Sequence, residues 1–579
     1  MSFFLLCKND GDQVSIDRFI ASASSHQFQL SSKIELGGRQ LILFNDQNAT
    51  ELPFFEGRNG DFIAVLGSLI ANGQTTPDCL PGLLAGFDPQ SFDWNGLLGT
   101  HLLLVHKAGT LYVAGDGLAA CKVYTDEQKT VWSNSFLAMC EITGPKNFDK
   151  QACYEYVING AVFGSRTLVQ GISSLPANAI LSVDRDGAGI HQRPSPIENT
   201  SLGKSPTLDQ AADYHCDRLK QVFAPIAEHF GDKIRLSFSG GFDSRLMLAM
   251  LLEHGARPTL FVYGQEHDDD VQIAQTICKA EGLPVEWIDK SKVLPTDPDA
   301  FAEETLKNLF AFDAWKVETS LFDFGADRQD RLRRHLDGHV PLNGSLGEIY
   351  RNFFYMPDMP SSTGGVVSTF YSRYDPEAFT DQFNEHDYRT AMTAAMREAI
   401  GAQSDTLERS QVEELYPKFR GRFWTGRDAQ INQRFGPMFF PYLEHAAISN
   451  TAKVPIRLKD LGYLQGRMIA RVNPRLAAYP SDYGFPLDGP RPLKYRLKSF
   501  LGTHRPPALR KHSFRLTHRV MEPRDGALSS DYLARAIDME FPIMRSLFHL
   551  DAANAADQYG IIATLEYIGQ RYNLQVPAD

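Results

Sequence analysis

The chain has 579 residues, and at about 150 residues per domain this length predicts two to four domains. Hydrophobic residues make up 43% of the sequence and charged residues 22%, which excludes a collagen-like, fibrous or disordered chain. The net charge is −12, whereas proteins that bind duplex nucleic acid usually carry a basic surface. No clear nucleic-acid partner is therefore expected.

The cysteines and the apolar runs predict a cytoplasmic protein. The seven cysteines form no CxxC pair, which argues against a zinc knuckle or a thioredoxin-like site, and an odd, sparse set is typical of reduced thiols. The first ten residues lack the basic region of a signal peptide. The longest apolar run, 62–71, falls short of the ~18 residues that suggest a membrane span, so no transmembrane segment is expected.

Residues 1–195 predict a mainly β domain, because short apolar runs recur between Gly-Asn and Asp-Gly turn signals. These runs are 40–44, 62–66, 101–105, 111–114 and 179–183. The polar stretch 196–206 predicts a linker.

From residue 207 to residue 579 the pattern is that of a second domain, in which strands alternate with helices. Helices are predicted at 208–230, 244–254 and 270–281, and strands at 233–238, 259–263 and 285–288. Such alternation implies βαβ units and a parallel sheet. Residues 300–579 are mainly helical by period.

The sequence SGGFDS at 239–244 lies between a predicted strand and a predicted helix. Gly240 and Gly241 let the backbone approach a ligand closely, and a helix N-terminus offers N–H groups to a pyrophosphate. Ser239 and Ser244 add hydroxyl donors. Asp243 is a negative charge beside a phosphate site, which makes sense only if Mg²⁺ bridges the two. The alternative is an ordinary turn with a capped helix; the complete six-residue pattern favours the phosphate site.

This motif resembles the PP-loop of N-type ATP pyrophosphatases, in particular the synthetase domain of asparagine synthetase and its relatives. Those enzymes split ATP between the α- and β-phosphates and adenylate a substrate, so the resemblance implies ATP and Mg²⁺. In the family the second strand leads to a glycine and then an acidic pair. Gly264 and residues 268–270 match that pattern, which makes Gly264 a candidate ATP-binding residue and Asp270 a candidate metal ligand.

Residues 342–351 look like the family's second acidic loop, of the form GEGADE. Glu348 matches its last acid, but Gly347 stands where the family has a second Mg²⁺-binding aspartate. We expect Glu348 or Asp270 to compensate and to share the metal with Asp243. The alternative is that Glu348 pairs locally with Arg351 and that Asp270 only caps a helix.

Residues 440–444 and 466–471 resemble the family's P-[FY]-L-D segment and the segment that carries its catalytic lysine. Arg467 is the nearest cation in the second of these. Arginine holds phosphate well but is a poor proton shuttle. The predicted catalytic set is therefore Asp243, Glu348 and Arg467, with Lys453 and Lys459 as other candidates and a solvated helix position as the alternative for Arg467.

Residues 97–105 and 111–124 are similar to the family's glutaminase domain. The resemblance implies an α/β chain with an N-terminal Ntn-hydrolase-like αββα sandwich, followed by a PP-loop (adenine nucleotide α-hydrolase-like) parallel-sheet domain with a helical extension. The glutaminase needs Cys at position 2, freed by removal of Met1, and this chain has Ser2. The family's NGEIYN segment is also absent near 64–73. We expect an inactive scaffold, as in relatives that make β-lactams or lasso-peptide macrolactams; a Ser2 nucleophile is the alternative.

The segment 491–521 holds nine Lys or Arg residues and no Asp or Glu, against the acidic balance of the whole chain. This charge pattern indicates an acidic partner, a membrane surface or polyphosphate. The alternative is a solvated helix face.

Together these patterns predict an AMP- and pyrophosphate-forming ligase that adenylates a small-molecule or peptide carboxylate and joins it to an amine without using glutamine. Peptide, natural-product or polysaccharide biosynthesis is the expected setting, for example macrolactam formation. Three alternatives stay open: a glutamine- or ammonia-dependent asparagine synthetase, a non-catalytic nucleotide-binding partner subunit, and a PP-loop enzyme that modifies tRNA, which the missing CxxC pairs disfavour. A homodimer is one assembly open to the chain.

Overall fold

The computed structural model describes residues 2–9, 13–46, 51–144, 146–200, 202–203, 205–289 and 295–577. Met1 and residues 201 and 204 of the predicted linker lie outside these ranges. Within them, no helix has both the length and the apolar character needed to cross a membrane.

The N-terminal part is built on antiparallel sheets. Its strands are β1 (Phe3–Lys8), β2 (Leu30–Leu36), β3 (Arg39–Phe44), β4 (Phe54–Glu56), β5 (Phe62–Gly67), β6 (Ile70–Ala71), β7 (Gln74–Thr75), β8 (Leu97–Leu98), β9 (His101–Lys107), β10 (Thr110–Gly115), β11 (Tyr124–Asp126), β12 (Trp132–Ser133), β13 (Ile172–Ser174), β14 (Ala179–Val183) and β15 (Ala188–Gln192). Its helices are α1 (Gln13–Ser25), α2 (Leu80–Gly86), α3 (Phe136–Thr143) and α4 (Lys150–Asn159). One six-stranded sheet has the order β13-β11-β12-β1-β3-β2 and the other β15-β14-β10-β9-β5-β4. The five strands predicted from apolar runs are confirmed as β3, β5, β9, β10 and β14.

The two large sheets pack face to face, and period-two alternation along each strand decides what each residue meets. Phe4 and Leu6 of β1 point into the core between the sheets, whereas Phe3 and Leu5 point to the helical side that holds α1 and α3. The outer face of the second sheet, with Val65 of β5, packs against α2. The resulting order is helix, sheet, sheet, helix, which is the layering expected for this part of the chain.

The second part contains a four-stranded parallel sheet. Its strands are β16 (Ile234–Ser237), β17 (Thr259–Tyr263), β18 (Val285–Ile288) and β19 (Val340–Leu342), in the order β18-β17-β16-β19. Helix α5 (Leu208–Phe230) precedes β16, α6 (Phe242–Glu253) links β16 to β17, and α7 (Asp269–Glu281) links β17 to β18. The predicted βαβ alternation is therefore confirmed, with boundaries that differ by at most two residues.

The remaining elements are mainly short helices, as the period predicts. They are α8 (Phe301–Ala311), α9 (Ala326–Arg333), β20 (Ser361–Ser362), α10 (Thr363–Phe370), α11 (Glu385–Ile400), β21 (Thr406–Leu407), α12 (Arg409–Leu415), α13 (Gly426–Asn432), α14 (His445–Ile448), α15 (Ile456–Lys459), α16 (Tyr463–Val472), α17 (Pro474–Ala478), α18 (Leu493–His504), α19 (Pro507–Arg510), α20 (Ser513–Thr517), α21 (Ser530–Leu533) and α22 (Ala556–Tyr572). A π-helical stretch, Tyr416–Thr425, joins α12 to α13.

Buried polar contacts join the two parts. The Asp313 carboxylate accepts hydrogen bonds from Ser135 Oγ at 2.6 Å and from the Phe136 backbone N–H at 2.8 Å, at the start of α3. The fully buried Arg427 lies 3.4 Å from the same carboxylate. Burial removes water from the Asp313 carboxylate and the Arg427 guanidinium, so both charges require the hydrogen-bond and ion-pair partners described here. The interface is thus fixed by directional bonds as well as by apolar packing.

Candidate functional site

Three loops meet at the carboxyl edge of the parallel sheet. Residues 238–241 follow β16, residues 264–268 follow β17 and residues 343–348 follow β19. These three strands are neighbours in the sheet, and in parallel sheets ligands bind outside the carboxyl ends of the strands. All predicted site residues except Arg467 lie on these loops or on the first turns of α6 and α7.

The loop 239–244 is closed by its own serines. The Ser239 N–H donates to Ser244 Oγ at 3.3 Å, and the two hydroxyl oxygens are 3.3 Å apart. Gly240 has φ of +75°, and a Cβ there would stand 2.5 Å from Ile273 Cγ2, so only glycine fits. α6 begins without a side-chain cap at Gly241, and the first N–H groups of a helix have no partner within the helix itself.

The Asp243 carboxylate is held by two side chains. Arg351 Nη2 donates to Asp243 Oδ2 at 2.6 Å, and Gln465 Nε2 donates to Asp243 Oδ1 at 2.8 Å. The same Arg351 nitrogen lies 3.5 Å from Glu348 Oε1, while Glu348 Oε2 accepts from Tyr416 OH at 2.7 Å. Asp243 and Glu348 are therefore close neighbours that share one guanidinium. The local pairing of Glu348 with Arg351, which was the alternative interpretation, is present. Because Arg351 also contacts Asp243, the pairing lies at the loop 239–244.

Steric space explains why residue 347 is a glycine. A Cβ at this position would stand 2.3 Å from Asp243 Oδ1 and 2.7 Å from its Cγ, well inside contact distance. Any side chain at 347 would displace the Asp243 carboxylate. The position at which the resemblance places an aspartate is here the space that Asp243 fills.

The charge state of Asp243 is set by competing effects. Burial raises the pKa of the Asp243 carboxyl to about 7, the Arg351 guanidinium opposes this rise, and Glu348 and Asp482 add to it. A carboxyl of this kind binds a proton or a cation readily near neutral pH.

Asp482 is a site residue that the sequence analysis missed. Both of its carboxylate oxygens lie 3.7 Å from the point where a Cβ on Gly241 would stand. Burial and the charge of Asp270 raise the pKa of Asp482 to about 6, and burial also raises the pKa of Asp270. Asp270 lies in the first turn of α7, where Asp268 holds the N-cap position, and its Oδ1 is buried.

A buried arginine ties the loop that carries Asp482 to the loop 239–244. Arg245 is fully buried, and its Nη2 donates to Gly240 O at 2.5 Å and to Pro480 O at 2.7 Å. Its Nη1 donates to Tyr479 O at 2.9 Å. Burial lowers the pKa of Arg245 to about 10, so the guanidinium keeps its charge at neutral pH. The only sequence signal for this link is the arginine that follows the six-residue motif.

Gly264 follows the end of β17, and its backbone conformation explains why a glycine stands there. Its φ is +146°, and a Cβ would stand 2.7 Å from Asp268 Oδ2. Its carbonyl accepts a hydrogen bond from Trp287 Nε1 at 2.8 Å. Whether this glycine contacts a nucleotide stays a prediction.

The expectation that Arg467 lies at the loop is wrong. Gln465 and Arg467 both belong to α16, and residues two apart on a helix point to nearly opposite sides. Gln465 reaches Asp243, whereas Arg467 Nε donates to Asp209 Oδ1 at 2.5 Å with its side chain 43% exposed. The cation that contacts the Asp243 carboxylate is Arg351.

The two lysine candidates, Lys453 and Lys459, also contact residues outside the loop 239–244. Lys459 is buried and donates to Glu413 Oε2 at 2.5 Å, and Lys453 Nζ lies 3.5 Å from Ser410 Oγ.

The crevice retains polar atoms without partners. Gln465 Oε1, Asp270 Oδ1 and Arg351 Nε are buried and have no hydrogen-bond partner among the described residues. In those same ranges no group of three or more His, Cys, Asp or Glu side chains is arranged to hold a metal ion. The oxygen donors nevertheless suit Mg²⁺, which takes one or two carboxylates together with phosphates and water.

Ser2 directly precedes β1. Its side chain is buried, and its Oγ accepts a hydrogen bond from the Asp46 N–H at 3.2 Å. Asn134 Nδ2 donates to the Ser2 carbonyl at 3.2 Å.

Comparison with known proteins adds little. No protein-family profile matches the chain, and no curated protein does. Among solved structures it aligns with glutamine phosphoribosylpyrophosphate amidotransferase from B. subtilis complexed with ADP and GMP, at 10% identity and a TM-score of 0.23, over 50% of this chain and 65% of that one. It also aligns with a structure described as the allosteric regulatory enzyme of purine biosynthesis, again at 10% identity and 0.23, over 50% of this chain and 80% of that one. Likeness at this level carries no argument about activity.

Proposed function

We propose that the chain is an ATP-dependent, AMP- and pyrophosphate-forming ligase that adenylates a carboxylate and joins it to an amine. The observation that carries the proposal is the loop 239–244, which leads from a parallel strand into an uncapped helix. Asp243 of that loop is coupled through Arg351 to Glu348. This arrangement offers N–H groups, hydroxyls and paired carboxylates at one point, which suits a triphosphate with its metal.

The residues divide the work by charge. Ser239, Ser244 and the N–H groups at the start of α6 would hold the phosphates of ATP. Asp243, with Glu348 or Asp270, would hold Mg²⁺, and the ion would supply positive charge to offset that of the departing pyrophosphate. Arg351 supplies a fixed positive charge beside them and, as an arginine, stabilises anions without transferring protons. Catalysis in such a site is mainly positioning and charge stabilisation.

We also propose that the N-terminal sandwich is an Ntn-hydrolase-like scaffold without glutaminase activity. The buried Ser2 hydroxyl, which already accepts a backbone hydrogen bond, supports this. The nitrogen donor is then an amine or free ammonia, and the setting is peptide, natural-product or polysaccharide biosynthesis.

The test is pyrophosphate release from ATP and Mg²⁺ in the presence of a panel of carboxylates. We expect Asp243→Asn to abolish release, because an amide brings no charge to the metal. Arg351→Gln should reduce pyrophosphate release strongly. Arg467→Gln also removes one positive charge, but on the side of α16 that points away from Asp243, and it should leave release unchanged.

Denaturation curves establish that each variant is folded. Near-normal release by Asp243→Asn would disprove the metal assignment. A wild-type chain that binds ATP but releases no pyrophosphate with any carboxylate would instead be a nucleotide-binding subunit.

A further inference from the structure

The segment 491–521 presents an unusual surface, which we call the basic helical surface. It carries α18, α19 and α20. Of the fifteen large apolar side chains that are exposed among the described residues, eight lie in this segment. They are Leu493, Leu497, Phe500, Leu501, Leu509, Leu516, Val520 and Met521. Such a concentration of exposed apolar side chains marks an interaction surface rather than a solvated helix face.

Helix α18 arranges these side chains as a stripe. Leu493, Leu497, Phe500 and Leu501 fall on one side of the helix at the spacing of three and four residues, and Leu493 is 78% exposed. Lys494, Arg496 and Lys498 flank the stripe on both sides. An apolar stripe with cations on both sides is the pattern of a helix that lies in a membrane interface.

The helix is held on the body of the protein by its other side. The Tyr495 ring lies 4.9 Å from the Phe485 ring and 6.0 Å from the Tyr483 ring. In α19, Arg510 donates hydrogen bonds to the carbonyls of Phe354 at 3.1 Å and Tyr355 at 2.7 Å. The apolar stripe therefore projects from a fixed helix.

Several cations of this surface have no acidic partner. Lys511 pairs with Glu385 at 3.2 Å, and Arg515 lies 3.5 Å from Asp375. In contrast, Lys494, Arg496, Lys498 and Arg519 form no ion pair with any acidic side chain that the structure describes. Four unpaired cations on a chain with a net charge of −12 point to an anionic partner.

We propose that the basic helical surface docks the protein on an anionic lipid bilayer. The projecting apolar side chains would enter the boundary between headgroups and acyl chains, and the flanking cations would meet the negative headgroups. A bilayer fits the shape better than a peptide does, since the stripe is a ridge and a peptide partner would need a groove.

Docking would bring the candidate crevice close to the lipid surface. Tyr483, against which α18 rests, lies 5.1 Å from the Phe242 ring, and its hydroxyl accepts a hydrogen bond from Arg351 at 3.1 Å. The docking itself does not depend on the proposed function, because it concerns another surface and another ligand.

The test is co-sedimentation of the purified full chain with vesicles of phosphatidylcholine, with and without phosphatidylglycerol. We expect binding only to the anionic vesicles, and weaker binding as salt is added. Each cation near an anionic surface adds about a factor of five, so the triple variant Lys494→Gln, Arg496→Gln, Lys498→Gln should bind about a hundredfold more weakly. The matched control removes three exposed lysines elsewhere, Lys8, Lys129 and Lys279, and should bind as the wild type does.

The apolar stripe has its own matched pair of variants. Leu497→Glu with Phe500→Glu should abolish binding to the vesicles. The control variant, Leu336→Glu with Val14→Glu, should bind the vesicles as the wild type does. It is matched in exposure, because Leu336 and Val14 are 57% and 69% exposed, against 56% for Leu497 and 57% for Phe500.

Four results would overturn the proposal: no binding to anionic vesicles, equal binding to neutral ones, equal loss in the control variants, or a lack of effect of the stripe variant. A wild-type dimer that the stripe variant converts to a monomer, with no vesicle binding, would assign the surface to a second copy of the chain. Pyrophosphate release in solution is measured separately and should be unaffected by the stripe variant.

Discussion

Replacing Gly347 with alanine tests whether Asp243 must fill the space beside it. The added Cβ would stand 2.3 Å from Asp243 Oδ1, and carbon–oxygen contacts need about 3.5 Å. The carboxylate must therefore move by roughly 1 Å. Its hydrogen bonds to Arg351 at 2.6 Å and to Gln465 at 2.8 Å cannot both survive that movement.

The size of the effect follows from these two bonds. A hydrogen bond to a charged group contributes about 1.5–3 kcal/mol, and the Asp243 side chain is 23% exposed, so water replaces part of what is lost. We expect Gly347→Ala to lower the free energy of unfolding by about 2–4 kcal/mol. Because a displacement of about 1 Å in a catalytic group can cost a hundredfold, pyrophosphate release should fall by about that factor.

The assay is urea denaturation together with the pyrophosphate measurement. Gly82→Ala is the matched control: this glycine lies in α2, no atom of the residues that the structure describes lies within 4 Å of its added Cβ, and alanine favours a helix. It should leave activity unchanged and stability equal or slightly higher. Wild-type stability and activity in Gly347→Ala would refute the steric argument and with it the arrangement of the acidic pair.

Three further predictions concern other parts of the molecule. Ser2→Ala should not alter glutamate release from glutamine, which should be negligible in both proteins; steady release by the wild type that the variant loses would assign Ser2 a catalytic role. Arg245→Met should destabilise the fold by about 3–5 kcal/mol in denaturation experiments, because it leaves buried carbonyls without a donor, and a loss under 1 kcal/mol would contradict this. Burial raises the pKa of Glu444 from 4.5 to about 8, so the folded chain keeps a proton that the unfolded chain releases. The stability of the wild type should therefore fall, relative to Glu444→Gln, by up to about 1.4 kcal/mol per pH unit between pH 5 and pH 8, and parallel curves would exclude this.

Local patterns predicted the elements that local forces build. Helix α5 and strand β17 begin and end where their apolar periods do, because an amphipathic helix and a buried strand each show their own repeat. β1 and β19 were not assigned. β19 is three residues long, too short for a period, and its place beside β16 depends on pairing across more than a hundred residues.

The candidate site divides in the same way. The loop 239–244 carries its chemistry in consecutive residues, so the sequence indicates it directly. The sequence does not indicate the cation beside Asp243 in this way. That cation is Arg351, four residues beyond Gly347, whereas the resemblance pointed to Arg467. Asp482 follows the backbone at 479–480 that Arg245 bonds to the loop, and no local pattern contains that long-range contact.

The contact between α22 and the N-terminal part has a consequence for synthesis on the ribosome. The Phe148 N–H donates to the Gln575 carbonyl at 2.8 Å, and the buried Phe148 ring lies against Gly569 of α22. The sandwich emerges first, yet this edge of it stays uncovered until residues 556–575 have been translated. At 5–20 residues per second that interval lasts roughly 20 seconds to over a minute, during which an apolar surface is open to chaperones or to other nascent chains.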